Sequence, residues 1–166
     1  MTTLVAPREG LAYFDRQAVP LPCPMSPLAA WNAIMADPLP GMALAFRIRD
    51  AISARFGVAR IGGFSGQRVT QVAPGDRLDF FLVEGSTEHE LVLTARDRHL
   101  DVMISIETMG ETLGRQLSIT ASVITHNTFG RAYMIPVAPA HRLIVRLMLK
   151  RLQRRLQAGA GLAPGA

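Results

Sequence analysis

Cysteine is almost absent from this sequence, and long apolar runs are absent altogether. The single cysteine, Cys23, lies between Pro22 and Pro24 and has no partner for an intrachain disulfide, which fits a reducing compartment. No apolar run reaches the roughly 18 residues that a membrane-spanning helix requires. The first 20 residues also lack the continuous apolar stretch of a secretory signal. We therefore expect a soluble protein of the cytoplasm.

Motifs for metals, phosphates and nucleic acids are missing as well. The histidines at 89, 99, 126 and 141 show no HExxH spacing and no CxxC pair exists, so we expect neither a metal nor a cofactor. The glycine-rich segment 62–66 lacks the lysine and the helix start of a phosphate-binding loop, and predicts a turn or a flexible lid. Aromatic residues make up 6% of the chain, which argues against a base-stacking platform and a nucleic-acid partner.

Apolar residues are plentiful, at 49% of the 166 residues against 19% charged. A chain of this length and composition suits one domain with a sizeable core. We place that domain at residues 11–157 and expect flexible termini at 1–10 and 158–166.

The first part of the chain predicts a strand followed by two helices. Residues 11–19 fit the strand, and a proline-rich loop follows at 20–27. Ser26 and Pro27 supply an N-cap hydroxyl and a proline in the first helical turn, so a helix begins there. A second helix is expected at 42–56, because its apolar residues repeat every four positions.

Between residues 63 and 127 the apolar residues alternate, which predicts four or five strands in series. In the clearest hairpin, at 88–107, we place Asp97 and Arg98 at the tip, so that all paired apolar residues share one face. The pairs are Leu93 with Val102, Leu91 with Ile104, and Ala95 with Leu100. His99 and Asp101 then share the polar face, either as an oriented base or as solvent-facing side chains.

A long helix is expected after Pro139, at about residues 140–157, while 128–137 fits either a helical turn or a loop. Its first half is apolar nearly all round and its second half narrows to a stripe, which predicts a helix that starts buried and ends in water. Strands in series form an antiparallel sheet. The sequence therefore predicts an α+β fold, in which a curved antiparallel sheet wraps around the C-terminal helix.

This order of elements resembles the START-like helix-grip superfamily (SRPBCC). Residues 125–134, THNTFGRAYM, and 139–145, PAHRLIV, are similar to an uncharacterised bacterial domain-of-unknown-function family placed in it. The pair Arg49-Asp50 and the run 97–101, DRHLD, are similar to further signatures of that family. The resemblance covers residues 15–155 and implies a cavity for a hydrophobic or amphipathic small molecule. Because superfamily members include lipid carriers, polyketide cyclases and protein-binding domains, it implies no particular catalytic residue.

Several polar residues crowd the junction between the last strand and the long helix. They are His126, Asn127, Arg131, Tyr133, His141 and Arg142. Histidine can act as an acid or base near neutral pH, and arginine can clamp a carboxylate or phosphate. These residues form either a ligand-binding cluster at a cavity mouth, with His126 and His141 as catalytic candidates, or caps for the strand and the helix. Arg49 and Asp50 point in different directions, and we expect them to hold neighbouring loops.

The functions that these patterns allow fall into distinct classes. The one we favour is binding of a hydrophobic or amphipathic small molecule between the sheet and the C-terminal helix. An alternative is an enzyme of the cyclase or hydratase type, with His126 or His141 as acid–base and Arg131 or Tyr133 positioning the substrate. A further alternative is an adaptor that contacts an anionic membrane surface, because the formal net charge of +5 is concentrated near the C-terminus. The basic residues there are Arg142, Arg146, Lys150, Arg151, Arg154 and Arg155.

Overall fold

A computed structural model describes residues 2–54, 62–110 and 114–160. Within these ranges six strands form one curved antiparallel sheet, two helices lie between the first two strands, and a long helix follows the last strand. The strands are β1 (Tyr13–Pro20), β2 (Arg77–Leu78), β3 (Phe81–Ser86), β4 (Glu90–Arg96), β5 (Leu100–Met109) and β6 (Gln116–Thr125). The helices are α1 (Pro27–Met35), α2 (Met42–Ala54) and α3 (Thr128–Ala160). The predicted α+β class is confirmed.

The strand order is β1-β6-β5-β4-β3-β2, so the first strand of the chain pairs with the last. Five strands between Arg77 and Thr125 confirm the predicted number. The prediction that strands begin near residue 63 is wrong, because residues 62–76 form no strand. Gly62, Gly63 and Gly66 adopt φ angles of 69°, 100° and 68°, a left-handed backbone that is incompatible with extended pairing.

The predicted register of the β4–β5 hairpin is wrong by two residues. Leu93 lies opposite Ile104, and Arg96 lies opposite Asp101. The tip is formed by Arg98 and His99 instead, since the Asp97 carboxylate accepts hydrogen bonds from the backbone N–H groups of His99 (2.6 Å) and Leu100 (3.0 Å). An aspartate that binds the backbone two residues ahead is a common device for starting a turn.

The assignment of side chains to the two faces of this hairpin is confirmed, because a shift of two residues preserves the alternation. The core face carries the buried apolar residues Leu91, Leu93, Ile104 and Ile106. The outer face carries Thr94, Ser105 and Glu107, which are also buried. Thr2 Oγ1 donates to the Glu107 carboxylate at 2.7 Å, so the start of the chain lies against this outer face.

Helix α1 begins as predicted, with Ser26 Oγ accepting a hydrogen bond from the Ala29 N–H at 3.2 Å and Pro27 in the first turn. Trp31 and Ile34 on this helix are 4% and 5% exposed and pack on the core face of the sheet. Helix α2 starts at Met42 as predicted. The predicted end of α2 at 56 and 57 lies outside the described residues.

Helix α3 starts at Thr128, twelve residues before the predicted position, and includes Pro136 and Pro139. The segment whose structure the sequence left open is therefore its first part. Each proline removes one N–H from the helix and costs roughly 3 kcal/mol in isolation. Packing of the neighbouring residues Met134 and Val137 against the core offsets that cost.

The prediction that the long helix starts buried is wrong, although the helix ends in water as predicted, with residues 157–159 exposed. Leu143 and Leu147, in the first half of the predicted helix 140–157, are 57% and 41% exposed, whereas Leu149 and Leu152 further along are 1% and 2% exposed. The sheet covers only one row of this helix. Apolar residues on the opposite side of the first half therefore face solvent.

Candidate functional site

The candidate residues of the last strand and the long helix do not form one cluster. His126 and Asn127 lie at the start of α3, whereas His141 and Arg142 lie more than three turns further along the same helix. At about 1.5 Å per residue, Thr128 and His141 are separated by about 20 Å along the axis. The structure brings His126, Asn127 and His99 together at one position, and His141 and Arg142 together with β1 at another.

The first of these positions, the junction cluster, consists of Asp101, His126, His99, Asn127 and Phe129. His126 Nε2 lies 3.1 Å from Asp101 Oδ1, with the two side chains 38% and 20% exposed. His99 Nδ1 lies 3.2 Å from Asn127 Oδ1, and the imidazole packs 4.6 Å from the Phe129 ring. Of the two alternatives for His99, the oriented base beside Asp101 is not seen, because the register shift moves His99 into the turn and His126 lies beside Asp101.

Asn127 and Gly130 explain why the junction cluster is built in this way. The Asn127 side-chain oxygen accepts a hydrogen bond from the Gly130 N–H at 3.0 Å, which caps the first turn of α3. Its amide nitrogen donates to the Arg98 carbonyl at 3.0 Å. A Cβ on Gly130 would collide with the His99 carbonyl oxygen. The hairpin tip therefore packs directly on the helix start, and Asn127 caps the helix rather than the strand end.

Arg131 and Tyr133 lie on the first turns of α3. Arg131 is exposed, and its Nη2 donates to Thr128 Oγ1 at 3.0 Å. Tyr133 is half-buried and its ring lies 6.2 Å from that of Phe129. Both residues are thus placed near the junction cluster and away from His141.

The second position, the edge cluster, joins the strand β1 to α3. Its members are Tyr13, Asp15, Gln17, His141 and Arg142. Arg142 Nε donates to Asp15 Oδ1 at 3.0 Å, and Gln17 Nε2 donates to Asp15 Oδ2 at 2.7 Å and to the Arg142 carbonyl at 2.9 Å. The Tyr13 and His141 rings meet edge to face, with centroids 6.0 Å apart. The hydrogen bond with Asp15 raises the pKa of Arg142.

Two buried polar atoms of the edge cluster have no hydrogen bond among the described residues, Tyr13 Oη and His141 Nδ1. Burial raises the pKa of Tyr13, an effect that nearby Asp15 reinforces and nearby Arg142 opposes. Burial lowers the pKa of His141, and the Asp15 carboxylate only partly opposes this. The imidazole is therefore held neutral, and its contact with Tyr13 serves packing between β1 and α3.

The space between the sheet and the helices, where the sequence predicts a ligand cavity, is occupied by side chains. Trp31, Ile34, Val145, Leu149 and Leu152 are each at most 7% exposed and belong to one continuous core with the sheet. A cavity between α1 and α3 measures about 10 Å³, which is near the lower limit for a single water molecule.

An open groove of about 410 Å³ lies instead at one end of the sheet. Leu21 and Met25 line it from the β1–α1 connection, His89 from the β3–β4 turn, Met109 from the end of β5, and Arg115 from the residues before β6. Sequence reasoning missed this groove. The alternating strand directions could have indicated it, since the ends of β1, β3 and β5 all meet at the same end of an antiparallel sheet.

Two further expectations concern α2 and the glycine-rich segment. The Asp50 carboxylate accepts a hydrogen bond from the Gly62 N–H at 3.0 Å, which confirms that Asp50 holds a neighbouring loop. The Arg49 side chain lies outside the described residues. Ser65 N–H donates to Asp79 Oδ1 at 3.0 Å, and Asp79 itself has a φ of 55°. Segment 62–66 is thus an irregular segment fixed by carboxylates from both sides.

The described residues contain no group of three or more His, Cys, Asp or Glu side chains arranged to hold a metal ion. In the same ranges, every helix is too short or too polar to cross a bilayer. Cys23 is exposed. What the structure offers chemically is a neutral, half-buried histidine, a partly exposed histidine–aspartate pair and an open groove lined by both apolar and charged residues.

Comparison with known proteins identifies a family and no function. Neither the curated proteins nor the solved structures contain a match to this chain. A family described as "Protein of unknown function (DUF2867)" matches residues 8–148. The match spans the whole sheet, both clusters and the groove, and it confirms the prediction of an uncharacterised family. The chain belongs to the DUF2867 family of proteins of unknown function.

Proposed function

We propose that this protein binds an amphipathic small molecule in the groove at the end of the sheet. The observation that carries the proposal is the combination of its volume, about 410 Å³, with a lining that is apolar on one side and charged on the other. Ligand sites commonly measure about 300–1,000 Å³ and combine apolar walls with a few polar groups.

The apolar wall consists of Leu21, Met25 and Met109. Leu21 is 8% exposed and its N–H donates to the Arg115 carbonyl at 2.9 Å, so this part of the wall is fixed. Met109 is 47% exposed and extends into solvent. Methionine adapts its shape to irregular apolar ligands, which suits a molecule with a flexible or fused-ring hydrophobic part.

The polar wall contains His89 and Arg115, with Glu88 beside them. The Arg115 guanidinium has no ion pair with a carboxylate in the part of the chain that the structure describes. A free guanidinium at the edge of an apolar groove can bind a carboxylate, sulfonate or phosphate through two hydrogen bonds. The ligand we propose therefore carries an anionic group at one end.

The order of elements supports the proposal independently. A strand, paired helices, an antiparallel meander and a long C-terminal helix resemble the START-like superfamily, in which binding of hydrophobic or amphipathic molecules is common. The resemblance places such a ligand between the sheet and the helix. We place it in the groove, because side chains occupy the space between the sheet and the helix.

The test uses anilinonaphthalene sulfonate, a fluorescent molecule with apolar rings and one anionic group. We expect Arg115→Gln to weaken its binding about tenfold, since a hydrogen bond to a charged group contributes roughly 1.5–3 kcal/mol. Met109→Gln should weaken binding severalfold. Native mass spectrometry of the purified protein will identify any ligand that is retained.

Matched controls are available on other surfaces. Leu44 on α2 is 58% exposed and Leu143 on α3 is 57% exposed, so Leu44→Gln and Leu143→Gln remove similar apolar groups outside the groove. Leu44→Gln should leave dye binding unchanged, and Leu143→Gln reports any dye that binds α3. If Leu143→Gln abolishes binding while Arg115→Gln and Met109→Gln do not, the dye binds α3 and the proposed groove site is rejected.

A further inference from the structure

The solvent-facing side of α3 carries a row of exposed apolar residues. Ile135, Leu143 and Leu147 are 76%, 57% and 41% exposed, and Pro139 is exposed between them. These positions are four residues apart, so each lies about 40° further around the helix axis than the one before, and together they form a band about 120° wide. This side of the helix is opposite the row formed by Val145, Leu149 and Leu152, which packs on the core.

Cations continue the same row toward the C-terminal end of the helix. Arg146, Lys150 and Arg154 are exposed, and no carboxylate pairs with any of them among the described residues. At about 100° per residue, Lys150 and Arg154 fall within about 20° of Leu143 around the helix axis. Helix α3 contains no aspartate or glutamate. We call this continuous surface, from Ile135 to Arg154, the outer face of α3.

Three other basic residues of α3 are already neutralised by carboxylates. Arg142 pairs with Asp15 at 3.0 Å, and Arg151 Nε lies 2.6 Å from Asp37 Oδ2. Arg155 Nη1 also reaches Asp37, at 3.3 Å. These carboxylates contact α3 from its core side, and the outer face keeps its charge uncompensated.

We infer that the outer face of α3 binds an anionic phospholipid surface, independently of the ligand groove. An apolar row flanked by unpaired lysine and arginine is the pattern of a helix that lies in the headgroup region, with its leucines entering the acyl boundary. A bilayer with anionic headgroups supplies both the apolar depth and the negative charge that this face requires.

Other occupants fit this surface less well. A second copy of the chain would bury Arg146, Lys150 and Arg154 without supplying an acidic partner from its own outer face, and unpaired buried charges are costly. A nucleic acid would satisfy the cations but leave Ile135, Leu143 and Leu147 in water. The charge therefore favours a lipid surface over both.

The prolines set the depth of the contact. Pro136 and Pro139 lack an N–H, so the carbonyl oxygens of Ala132 and Ile135 have no intrahelical partner at the i+4 position. These carbonyls need water or headgroup donors, which excludes burial in the hydrocarbon core. We expect the helix to lie parallel to the surface, at the level of the headgroups.

The experiment is co-sedimentation of the full chain with vesicles of phosphatidylcholine alone or mixed with phosphatidylserine. We expect binding only to the mixed vesicles, with a steep loss as salt rises. Because each basic residue near an anionic surface strengthens binding about fivefold, the triple variant Arg146→Gln, Lys150→Gln, Arg154→Gln should bind about 100-fold more weakly. The double variant Leu143→Ser, Leu147→Ser should lose about tenfold or more.

A matched control separates this face from the overall charge. Arg47, Arg68 and Arg77 are exposed on other surfaces, so changing all three to Gln lowers the net charge by the same amount. This control should retain vesicle binding. An equal loss in the control, equal binding to neutral vesicles, or no binding at all would overturn the inference. So would a dimer in solution that the Leu143→Ser, Leu147→Ser variant dissociates.

Discussion

The side-chain amide of Asn32 pairs with the backbone of Val69 as a neighbouring strand would. Asn32 Nδ2 donates to the Val69 carbonyl at 2.7 Å, and the Val69 N–H donates to Asn32 Oδ1 at 3.0 Å. Val69 lies outside any strand, so this one side chain on α1 satisfies both polar groups of its backbone. Asn32 is thus a polar tie between α1 and residues 62–76, beside the edge-to-face contact of Trp31 with Phe64.

Replacing Asn32 with alanine should release this segment without unfolding the domain. Arg68 precedes Val69 and is exposed, so trypsin can report the release. We expect cleavage after Arg68 to become about 30-fold faster, in line with the loss of two hydrogen bonds at roughly 1 kcal/mol each. Gln71→Ala, an exposed change nearby, is the control. Equal cleavage rates in both variants would contradict the proposed tie.

Gly130 should be intolerant of any side chain. An added methyl group meets the His99 carbonyl oxygen, so Gly130→Ala must push the β4–β5 turn away from α3. We expect a loss of about 1–3 kcal/mol in the free energy of unfolding, measured by urea denaturation.

The matched control for Gly130 lies on the same helix. A Cβ added to Gly159 would meet no other atom within 4 Å. Gly159→Ala should therefore raise stability slightly, by up to about 1 kcal/mol, because alanine is the better helix former. Loss of stability in both variants would show that the close contact with His99 does not govern the result.

His141 should make the stability of the protein depend on pH. Burial lowers its pKa below the usual 6.5, so the unfolded chain takes up a proton at a higher pH than the folded state does. Above the pKa that His141 has in the unfolded chain, this residue should not change the free energy of unfolding. Below that value, the free energy of unfolding should decrease as the pH falls. His141→Phe keeps an aromatic ring beside Tyr13 and removes the titration.

We therefore expect the stability difference between His141→Phe and the wild type to grow in favour of the variant as the pH falls from about 7 to about 5. Near neutral pH the variant should already gain about 1 kcal/mol, because the unsatisfied Nδ1 is gone. Urea denaturation across this pH range measures both effects. If the free energies of unfolding of the two proteins change equally with pH, the folded state accommodates the charged imidazole.

The faces of the strands could be predicted from the sequence, but their pairing could not. The alternation in β4 and β5 assigns each side chain to a face, and any shift by two residues gives the same pattern. What selects the register is the Asp97 carboxylate, which binds two backbone N–H groups in the turn. The alternative that put His99 beside Asp101 as an oriented base failed for this reason, since His126 lies there instead.

The candidate sites depended on contacts between distant parts of the chain. Tyr13 and Asp15 carry no local signal that they meet His141 and Arg142, because the edge cluster forms only when β1 pairs with β6 beside α3. The prolines caused a separate error, in the predicted start of α3. Pro136 and Pro139 normally end a helix, and here tertiary packing outweighs that local preference.

The pairing of β1 with β6 also bears on how the chain is made. Tyr13 lies opposite Val123 and Pro20 opposite Gln116, so the first strand of this sheet finds its strand neighbour more than 90 residues later in the chain. Closing such a large loop is slow compared with forming the local β3–β4 and β4–β5 hairpins. During synthesis β1 must therefore wait, without its strand partner, until β6 has emerged.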